Sequence, residues 1–306
     1  MPEDPAMDIP LVQLIITLEF IGGEIQPYGL FILKKSFPAA FRRVTGCLKA
    51  DGSCGAGPDC PCRATFEQKL TPDPAALRRY QKPPLPFAFR IPVLPAGIKP
   101  GSCAELSLTL VGEATNRLEI YLATVAALFA AAPRNPLEMR CRKIEAVAGD
   151  GTRILIRMDG GSTDVSSVPL LTFAETVAPY CTSGETVTVE LQAPLRLLHQ
   201  GVPLRELPFP VLAGALFRRI SSLAYYYGGV ELSHDFKWLA ERSRLVACSR
   251  SDLVWVNRGG GLQGVEGKVT YRGELDEFIS FLNLGSLLNV GKGAAYGMGQ
   301  YRFHRG

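Results

Sequence analysis

The sequence predicts an α+β protein with two tandem ferredoxin-like domains (βαββαβ, RRM-like), the first of which carries a cysteine-containing insertion. Segments that alternate between apolar and polar residues, typical of half-buried strands, recur along the chain together with segments of helical periodicity. Their order gives strand–helix–strand–strand–helix–strand twice. The length of 306 residues suits two domains, and 47% hydrophobic against 20% charged residues is enough to build packed cores, which excludes a disordered chain.

The N-terminal domain is predicted over residues 1–170 and includes a cysteine-rich loop at 47–62. Gly/Pro/Cys-rich composition makes that loop irregular, while alternation or helical spacing defines the elements around it. The predicted elements are strand Leu11–Phe20, a helix opened by Pro38 and running through Phe41–Lys49, an edge strand within Phe87–Val93, strand Cys103–Gly112, helix Arg117–Ala132, and a hairpin of Met139–Ala148 with Thr152–Met158.

The C-terminal domain is predicted over residues 171–306 and includes a glycine-rich loop at 291–299. Gly228 and Gly229 form a helix stop, and strict alternation in ETVTVEL is typical of a strand. The predicted elements are strand Glu185–Leu191, helix Phe209–Tyr227, strands Leu253–Val256 and Gly267–Tyr271, helix Leu275–Leu288 and a last strand Tyr301–Phe303.

Composition also limits the class of protein. No run approaches the roughly 18 apolar residues that span a bilayer. The first residues, MPEDPAMDIP, carry acids and prolines where a signal peptide carries basic residues, so we expect a cytoplasmic protein without a membrane partner. The net charge of +4 is too small to indicate a partner by itself.

Four of the eight cysteines, Cys47, Cys54, Cys60 and Cys62, lie close together with the spacing C-x6-C-x5-C-x-C. Four thiolates can hold a tetrahedral zinc ion, so a structural zinc is one hypothesis. Neither of the usual C-x-x-C pairs is present, and a reduced, metal-free loop is the alternative.

The most unusual local composition is the glycine-rich tail from Gly291 to Gly306. Its glycines let backbone amides approach a phosphate chain closely, and Lys292, Arg302 and Arg305 add positive charge without any acid. A second basic segment from Lys34 to Ala50 contains five cations and no acid. Both segments favour binding to a nucleic-acid backbone. The alternatives are a tight turn for the tail and a solvated helix face for the second segment.

Candidates for acid–base chemistry are few, because the chain has three histidines, His199, His234 and His304. None has a metal-ligand companion four residues away, and no G-x-S-x-G motif indicates a serine hydrolase. His199 follows an apolar run in PLRLLHQG, where a strand end would present it to a ligand.

Several motifs together resemble one family. They are LLNVGKGAAYGMGQYRF at 287–303, APLRLLHQG at 193–201, FRRISSLAYYYGG at 217–229 and VTYRGELDEFISFL at 269–282, with FRRVTGCLKA at 41–50 and ATFE at 64–67 in the first half. In these motifs the chain resembles the CRISPR-associated RAMP endoribonucleases that process precursor crRNA. The resemblance is strongest in the C-terminal third.

The resemblance implies binding of CRISPR repeat RNA and metal-independent cleavage, in which a 2′-hydroxyl attacks the adjacent phosphate without a catalytic cofactor. If the chain cleaves RNA, the candidates for catalysis are His199 with Lys292, assisted by Tyr28 or Arg43. The residues expected to bind RNA are Arg42, Arg196, Arg218, Arg219, Gly291, Gly293, Tyr296, Gly297, Gly299 and Arg302. Because adjacent helical residues point about 100° apart, at most one of Arg218 and Arg219 should face RNA.

The chain also departs from that family. No histidine precedes His199, Asn289 stands where the family's tail often has a histidine, and PRNPLE at 133–138 replaces the glycine loop of the first domain. These departures favour an alternative, a catalytically inactive RAMP protein that holds crRNA as a structural subunit beside other Cas effector subunits. An unrelated zinc-loop RNA-binding protein is a third hypothesis.

Overall fold

The computed structural model describes residues 8–47, 57, 59–80, 82–130, 138–161, 163–177, 184–199 and 201–306; the side chains of residues 177 and 199 are not among those described. The chain divides into two units. The N-terminal unit contains residues 10–87 and 91–171, and the C-terminal unit contains residues 88–90 and 172–306 together with residues 8 and 9.

The first part of the chain follows the βαββαβ order, with two short helices inserted after the first helix. The first of the two short helices begins at Pro61, within the predicted cysteine-rich loop. The elements are β1 (Pro10–Phe20), α1 (Leu33–Val44), α2 (Pro61–Phe66), α3 (Pro74–Arg79), β2 (Phe87–Arg90), β3 (Cys103–Val111), α4 (Leu118–Leu128), β4 (Met139–Val147), β5 (Arg153–Met158) and β6 (Leu171–Thr172).

The N-terminal sheet is antiparallel, with β1 between β3 and β4 and with β5 beyond β4. Alternate residues of β1, namely Leu14, Ile16 and Leu18, are fully buried and form one face of the core. Helices α1 and α4 meet in an aromatic cluster in which the rings of Phe37 and Tyr121 are stacked 6.1 Å apart. Burial of this face of β1 therefore helps to organise the unit, as the alternation predicts.

The second part repeats the arrangement. Its elements are α5 (Phe173–Val177), β7 (Thr186–Leu195), β8 (Leu198–His199), β9 (Val202–Pro203), α6 (Phe209–Leu223), α7 (Phe236–Ser243), β10 (Ala247–Ser251), β11 (Val254–Asn257), β12 (Gln263–Arg272), α8 (Asp276–Leu288) and β13 (Tyr301–Arg305).

The C-terminal sheet is also antiparallel, and β7 lies between β12 and β13, while β10 and β11 both pair with β12. The ring of Phe209 on α6 lies 5.0 Å from that of Phe278 on α8 and 5.0 Å from that of Tyr271 on β12. These edge contacts fix both helices on one face of the sheet. Two antiparallel sheets with βαββαβ order confirm the predicted α+β, tandem ferredoxin-like fold.

The prediction for the first helix is wrong at its start and at its end. Pro38 lies inside α1, and the helix ends at Val44. Leu33, Phe37, Ala40 and Phe41 are buried on one face that extends across the proline, so packing outweighs the one backbone hydrogen bond that proline removes. Within the described ranges, none of the helices is long and apolar enough to cross a bilayer.

Candidate nucleic-acid interface

The glycine-rich loop that links α8 to β13 is fastened to the end of β7. The amide of Gly299 donates to the carbonyl oxygen of Pro194 at 3.0 Å, and the amide of Lys292 donates to the carbonyl oxygen of Arg196 at 3.0 Å. The two ends of the loop also meet, because Val290 donates to Gly299 at 3.3 Å. These bonds hold Lys292 beside Arg196.

Two of the loop glycines are required by geometry. Gly291 and Gly299 have φ values of +86° and +63°, a region that side chains disfavour. A Cβ at Gly291 would come within 2.8 Å of the Arg196 carbonyl oxygen, and one at Gly299 would come within 2.0 Å of the Val290 carbonyl oxygen. The close approach of loop and strand therefore depends on these glycines.

Several donors at this loop are free to bind an anion. The backbone amides of Gly291 and Gly293 donate to no acceptor among the described residues. The side chain of Lys292 is exposed, and Nε of half-buried Arg196 has no hydrogen-bond partner within the described part of the chain. Two backbone amides and Lys292 on the loop, with Arg196 at the adjoining end of β7, form a suitable cradle for a phosphate group.

Asn289 anchors the loop from inside. It is fully buried, with φ +58°, and its Nδ2 donates to the carbonyl oxygens of Phe89 at 2.7 Å and Ala294 at 2.8 Å. The amide of Phe89 in turn donates to Ala295 at 2.9 Å. Asn289 therefore fixes the backbone of the loop, and an amide group cannot replace the acid–base function of a histidine.

Other predicted contacts within the loop lie deeper. Tyr296 and Gly297 are buried, and their amides donate to Gly293 at 2.9 Å and to Ala294 at 3.3 Å. Gly293 is half-buried at φ +85°, and Gly297 has φ +83°. Direct contact of Gly293, Tyr296 and Gly297 with RNA stays a prediction, whereas their hydrogen bonds and positive φ values show how they shape the loop.

Arg218 and Arg219 on α6 point in different directions, as adjacent helical residues do. Arg218 is exposed, whereas Arg219 turns inward, and its Nε donates to the carbonyl oxygen of Leu288 at 2.8 Å. Burial lowers the pKa of Arg219 to about 10. Arg219 thus caps the end of α8, and Arg218 is the member of the pair that is available to a ligand.

Arg302 lies on β13, directly opposite Glu190 on β7. Its Nε is 3.4 Å from Glu190 Oε2, and Lys268 on the other side of β7 is 3.6 Å from Oε1 of the same carboxylate. The Glu190 carboxylate therefore neutralises part of the positive charge that the tail contributes. Arg302 is exposed, so its predicted contact with RNA remains open to test.

The three histidines lie in different surroundings. His199 ends β8, three residues beyond Arg196, and pairs in register with Val202; its side chain lies outside the described part of the structure. His234 packs between the rings of Phe236 and Phe281, at 5.9 Å and 5.1 Å, which is typical of a structural histidine. His304 is exposed on β13 opposite Thr188.

The remaining predicted cations and Tyr28 belong to the N-terminal unit. Arg42 and Arg43 are exposed in the last turn of α1. Tyr28 is half-buried, with its ring 5.7 Å from that of Phe31. Within the C-terminal unit the structure brings together Arg196, Gly291, Lys292 and Gly293, and it separates Arg219 from them by burying its guanidinium group.

The cysteine cluster is described only in part, because Cys54 lies outside the described residues. Cys62 is buried and its Sγ lies 3.0 Å from Thr45 Oγ1. Burial raises the pKa of this thiol to about 11, and the neighbouring Cys47 contributes to the shift. Over the described ranges no group of three or more histidine, cysteine or acidic side chains is arranged to hold a metal ion, and the zinc hypothesis stays a prediction.

Sequence reasoning missed one feature of this unit. Arg205 lies over the ring of Trp255 on β11, with the guanidinium carbon 5.6 Å from the ring centroid. The hairpin that carries Trp255 turns through Gly259, Gly260 and Gly261, all with positive φ. A tryptophan in the alternating segment just before RGGG was the signal that could have indicated it.

Comparison with known families gives two matches along the chain. Residues 189–301, which include Arg196, His199 and the whole glycine-rich loop, match the family model described as CRISPR-associated endoribonuclease Cas6. Residues 10–167 match a second model, described as an N-terminal domain. The C-terminal part of the chain thus matches the Cas6 family over 189–301. This match confirms the predicted resemblance to the CRISPR-associated RAMP endoribonucleases. A comparison with curated proteins found no match.

Solved Cas6 structures share the fold. Thermus thermophilus Cas6 is 15% identical, with a TM-score of 0.56 over 97% of this chain and 99% of that one. A Cas6 product complex is 15% identical, with a TM-score of 0.56 over 96% of this chain and 99% of that one. A chain of a partial Cas6-RT-Cas1--Cas2 complex is 14% identical with a TM-score of 0.62; this protein is covered over 97% of its length but spans only 46% of that chain.

Proposed function

We propose that this protein binds CRISPR repeat RNA and cleaves precursor crRNA by metal-independent attack of a ribose 2′-hydroxyl on the adjacent phosphate. The observation that carries the proposal is the cradle formed by the free amides of Gly291 and Gly293 with Lys292 and Arg196, inside the segment that matches the Cas6 model. Amide donors and cations that lie on neighbouring residues of the loop and strand suit a phosphate whose negative charge increases during reaction.

Cleavage by 2′-hydroxyl attack needs a general base, a general acid and positive charge at the phosphate. A base takes the proton of the 2′-hydroxyl, a bond forms from O2′ to phosphorus, and the bond from phosphorus to O5′ breaks as an acid protonates O5′. The products carry a 2′,3′-cyclic phosphate and a 5′-hydroxyl. His199 is the proposed base, and Lys292 stabilises the charged phosphate with the loop amides. Tyr28 and Arg43 are the further candidates, on the N-terminal unit.

The test uses purified protein and its cognate repeat RNA in the presence of EDTA. We expect a single cut that leaves a 2′,3′-cyclic phosphate or 3′-phosphate end. The same RNA with a 2′-deoxyribose at the scissile position should remain intact although it binds. Cleavage of the deoxy substrate would overturn the mechanism, and loss of activity in EDTA that added Mg²⁺ restores would overturn metal independence.

A second function is favoured by Asn289 and by the lack of any histidine before His199. The Asn289 side chain is a neutral amide that does not titrate, so it cannot serve as a general base, and it donates two structural hydrogen bonds. A protein that holds crRNA without cutting it, as a subunit beside other Cas proteins, would keep the phosphate cradle and need no base. A gel shift on repeat RNA without product, in wild type and in His199→Ala alike, would decide for this function.

Partners and surroundings follow from the proposed function. Repeat RNA or crRNA is the proposed ligand, and other Cas proteins are proposed partners, since one matched chain comes from a complex of Cas6, RT, Cas1 and Cas2. A cytoplasmic location and a structural zinc at the cysteine-rich loop are also proposed. Metal analysis of the purified protein tests the zinc, and a Cys60→Ser variant that retains full zinc content would argue against Cys60 as a ligand.

A further inference from the structure

Trp255 and Arg205 form an exposed aromatic–cation pair in the C-terminal unit. The guanidinium carbon of Arg205 lies 5.6 Å from the centroid of the Trp255 ring. Arg205 is exposed and Trp255 is half-exposed, so solvent reaches both groups. Among the described residues no carboxylate lies within ion-pair distance of Arg205, which leaves its charge available.

The strand register places Trp255 on the same side of the sheet as the glycine-rich loop. Trp255 pairs with Val265, and Val265 pairs with Leu195. Residues directly opposite one another point to the same face, so these three side chains form a row. Leu195 ends the row at the loop, since Cβ atoms at Gly291 and Gly299 would each lie 2.9 Å from its Cδ1. Strand β11, which carries Trp255, is separated from β7 by β12 alone. Trp255 therefore lies roughly 10 Å, or two interstrand spacings, from the strand whose end adjoins the phosphate cradle.

The other tryptophan provides a built-in comparison. Trp238 on α7 also has an arginine over its ring, with Arg242 at 5.6 Å. Arg242, however, forms ion pairs with Glu274 and Glu277, the second at 3.6 Å. Two carboxylates thus neutralise Arg242 beside Trp238, whereas no carboxylate of the described residues neutralises Arg205 beside Trp255.

We infer that Trp255 and Arg205 form a stacking platform for an unpaired RNA base. An indole face and a guanidinium plane are the groups on which splayed-out bases stack, and the uncompensated charge of Arg205 also attracts the RNA backbone. A base on this platform lies within a few nucleotides of a phosphate held by Lys292 and the loop amides. The inference deepens the proposed function and rests on it, because it requires that the protein bind RNA.

The experiment uses the two tryptophans as separate reporters, since the chain contains only these two. Trp238→Phe leaves Trp255 as the sole indole, and Trp255→Phe leaves Trp238. Each variant is titrated with unlabelled oligoadenylate while tryptophan emission is recorded, and fluorescein-labelled oligoadenylate reports binding by anisotropy. We expect RNA to quench Trp255 emission in the first variant and to leave Trp238 emission unchanged in the second.

Affinity provides the second measurement. Trp255→Leu, which keeps an apolar side chain opposite Val265, should weaken oligoadenylate binding by roughly 5- to 150-fold, the value of one stacked base. Trp238→Leu should bind like wild type. Binding by the Trp238→Phe variant without any change in Trp255 emission, or wild-type affinity in Trp255→Leu, would overturn the platform while leaving the proposed function intact. Failure of the wild-type protein to bind oligoadenylate and repeat RNA would overturn the proposed function and the platform with it.

Discussion

The amide of Lys292 donates a hydrogen bond of 3.0 Å to the carbonyl oxygen of Arg196, which joins the glycine-rich loop to the end of β7. The bond thereby holds Arg196 and Lys292 side by side, although the two residues are 96 positions apart in the sequence. This bond uses backbone atoms only, so neither side chain takes part in the connection; Lys292 is exposed and Arg196 is half-buried. The backbone connection therefore survives side-chain substitution at either position, and charge can be varied there without removing the fold.

Charge reversal at Lys292 should weaken RNA binding and flatten its dependence on salt. Each phosphate contact that a cation makes releases a counterion, so removal of one contact lowers the slope of log affinity against log salt by about 1. Lys292→Glu is measured by fluorescence anisotropy with repeat RNA at several salt concentrations. The matched control is Lys237→Glu, an exposed lysine on α7. An equal change in slope in both variants would show that Lys292 acts through net charge alone.

Gly299→Ala should destabilise the protein more than Gly260→Ala. Both glycines have positive φ, +63° and +58°, so both substitutions incur a similar backbone penalty of about 1–2 kcal/mol. Only at Gly299 does the new Cβ meet backbone, at 2.0 Å from the Val290 carbonyl oxygen, whereas nothing lies within 4 Å of a Cβ at Gly260. Urea unfolding gives the two free energies of unfolding. Equal losses would mean that the loop relaxes freely around the added methyl group.

Much of the fold could be predicted from periodicity, because burial of one face imposes it. The alternation of residues 103–112 predicts β3, and helical spacing followed by Gly228 predicts α6. Strand β10 could not be predicted in this way, since all five of its residues are exposed and no face of it is buried. The start of α1 differs from the prediction because Pro38 is typical of a first helical turn, whereas the buried apolar face extends across it.

The candidate site was predictable in composition but not in arrangement. Glycine content and charge indicate an anion-binding loop at 291–299 from the sequence alone. The partnership of Lys292 with Arg196 depends on backbone hydrogen bonds between distant segments, and no local pattern encodes these bonds. Arg219 illustrates the same limit, since its neighbour Arg218 has identical chemistry, and only packing against the end of α8 distinguishes the two.

Replacement of Arg218 by alanine should therefore affect RNA binding, whereas replacement of Arg219 should affect stability. Arg218→Ala should change the free energy of unfolding by no more than about 0.5 kcal/mol, as exposed positions do, while it weakens RNA binding. Arg219→Ala should cost about 1–3 kcal/mol of stability, because the Leu288 carbonyl oxygen loses its donor. Urea unfolding and an anisotropy titration are carried out on both variants. Weaker RNA binding by folded Arg219→Ala than by Arg218→Ala would contradict this assignment.

Acid should destabilise the N-terminal sheet partly through Glu19. Its carboxylate accepts a hydrogen bond of 2.9 Å from Arg140 Nε and lies 3.3 Å from Arg142 Nε, and the Arg140 bond in particular lowers the pKa of Glu19 below its usual 4.5. A group whose pKa is depressed on folding adds stability above its unfolded pKa and loses it as pH falls through the folded value. The contribution is therefore present at neutral pH, begins to decline near the usual glutamate pKa of 4.5, and is lost as the pH falls through the lower folded pKa.

The check is the melting temperature as a function of pH. Wild type should lose more thermal stability between neutral and strongly acidic pH than Glu19→Gln, which has no proton to take up at this position. Glu24→Gln replaces an exposed glutamate in the loop after β1 and should follow the wild-type curve. Parallel curves for wild type and Glu19→Gln would show that the Arg140 pair persists without a net gain from the charged carboxylate, as many exposed ion pairs do.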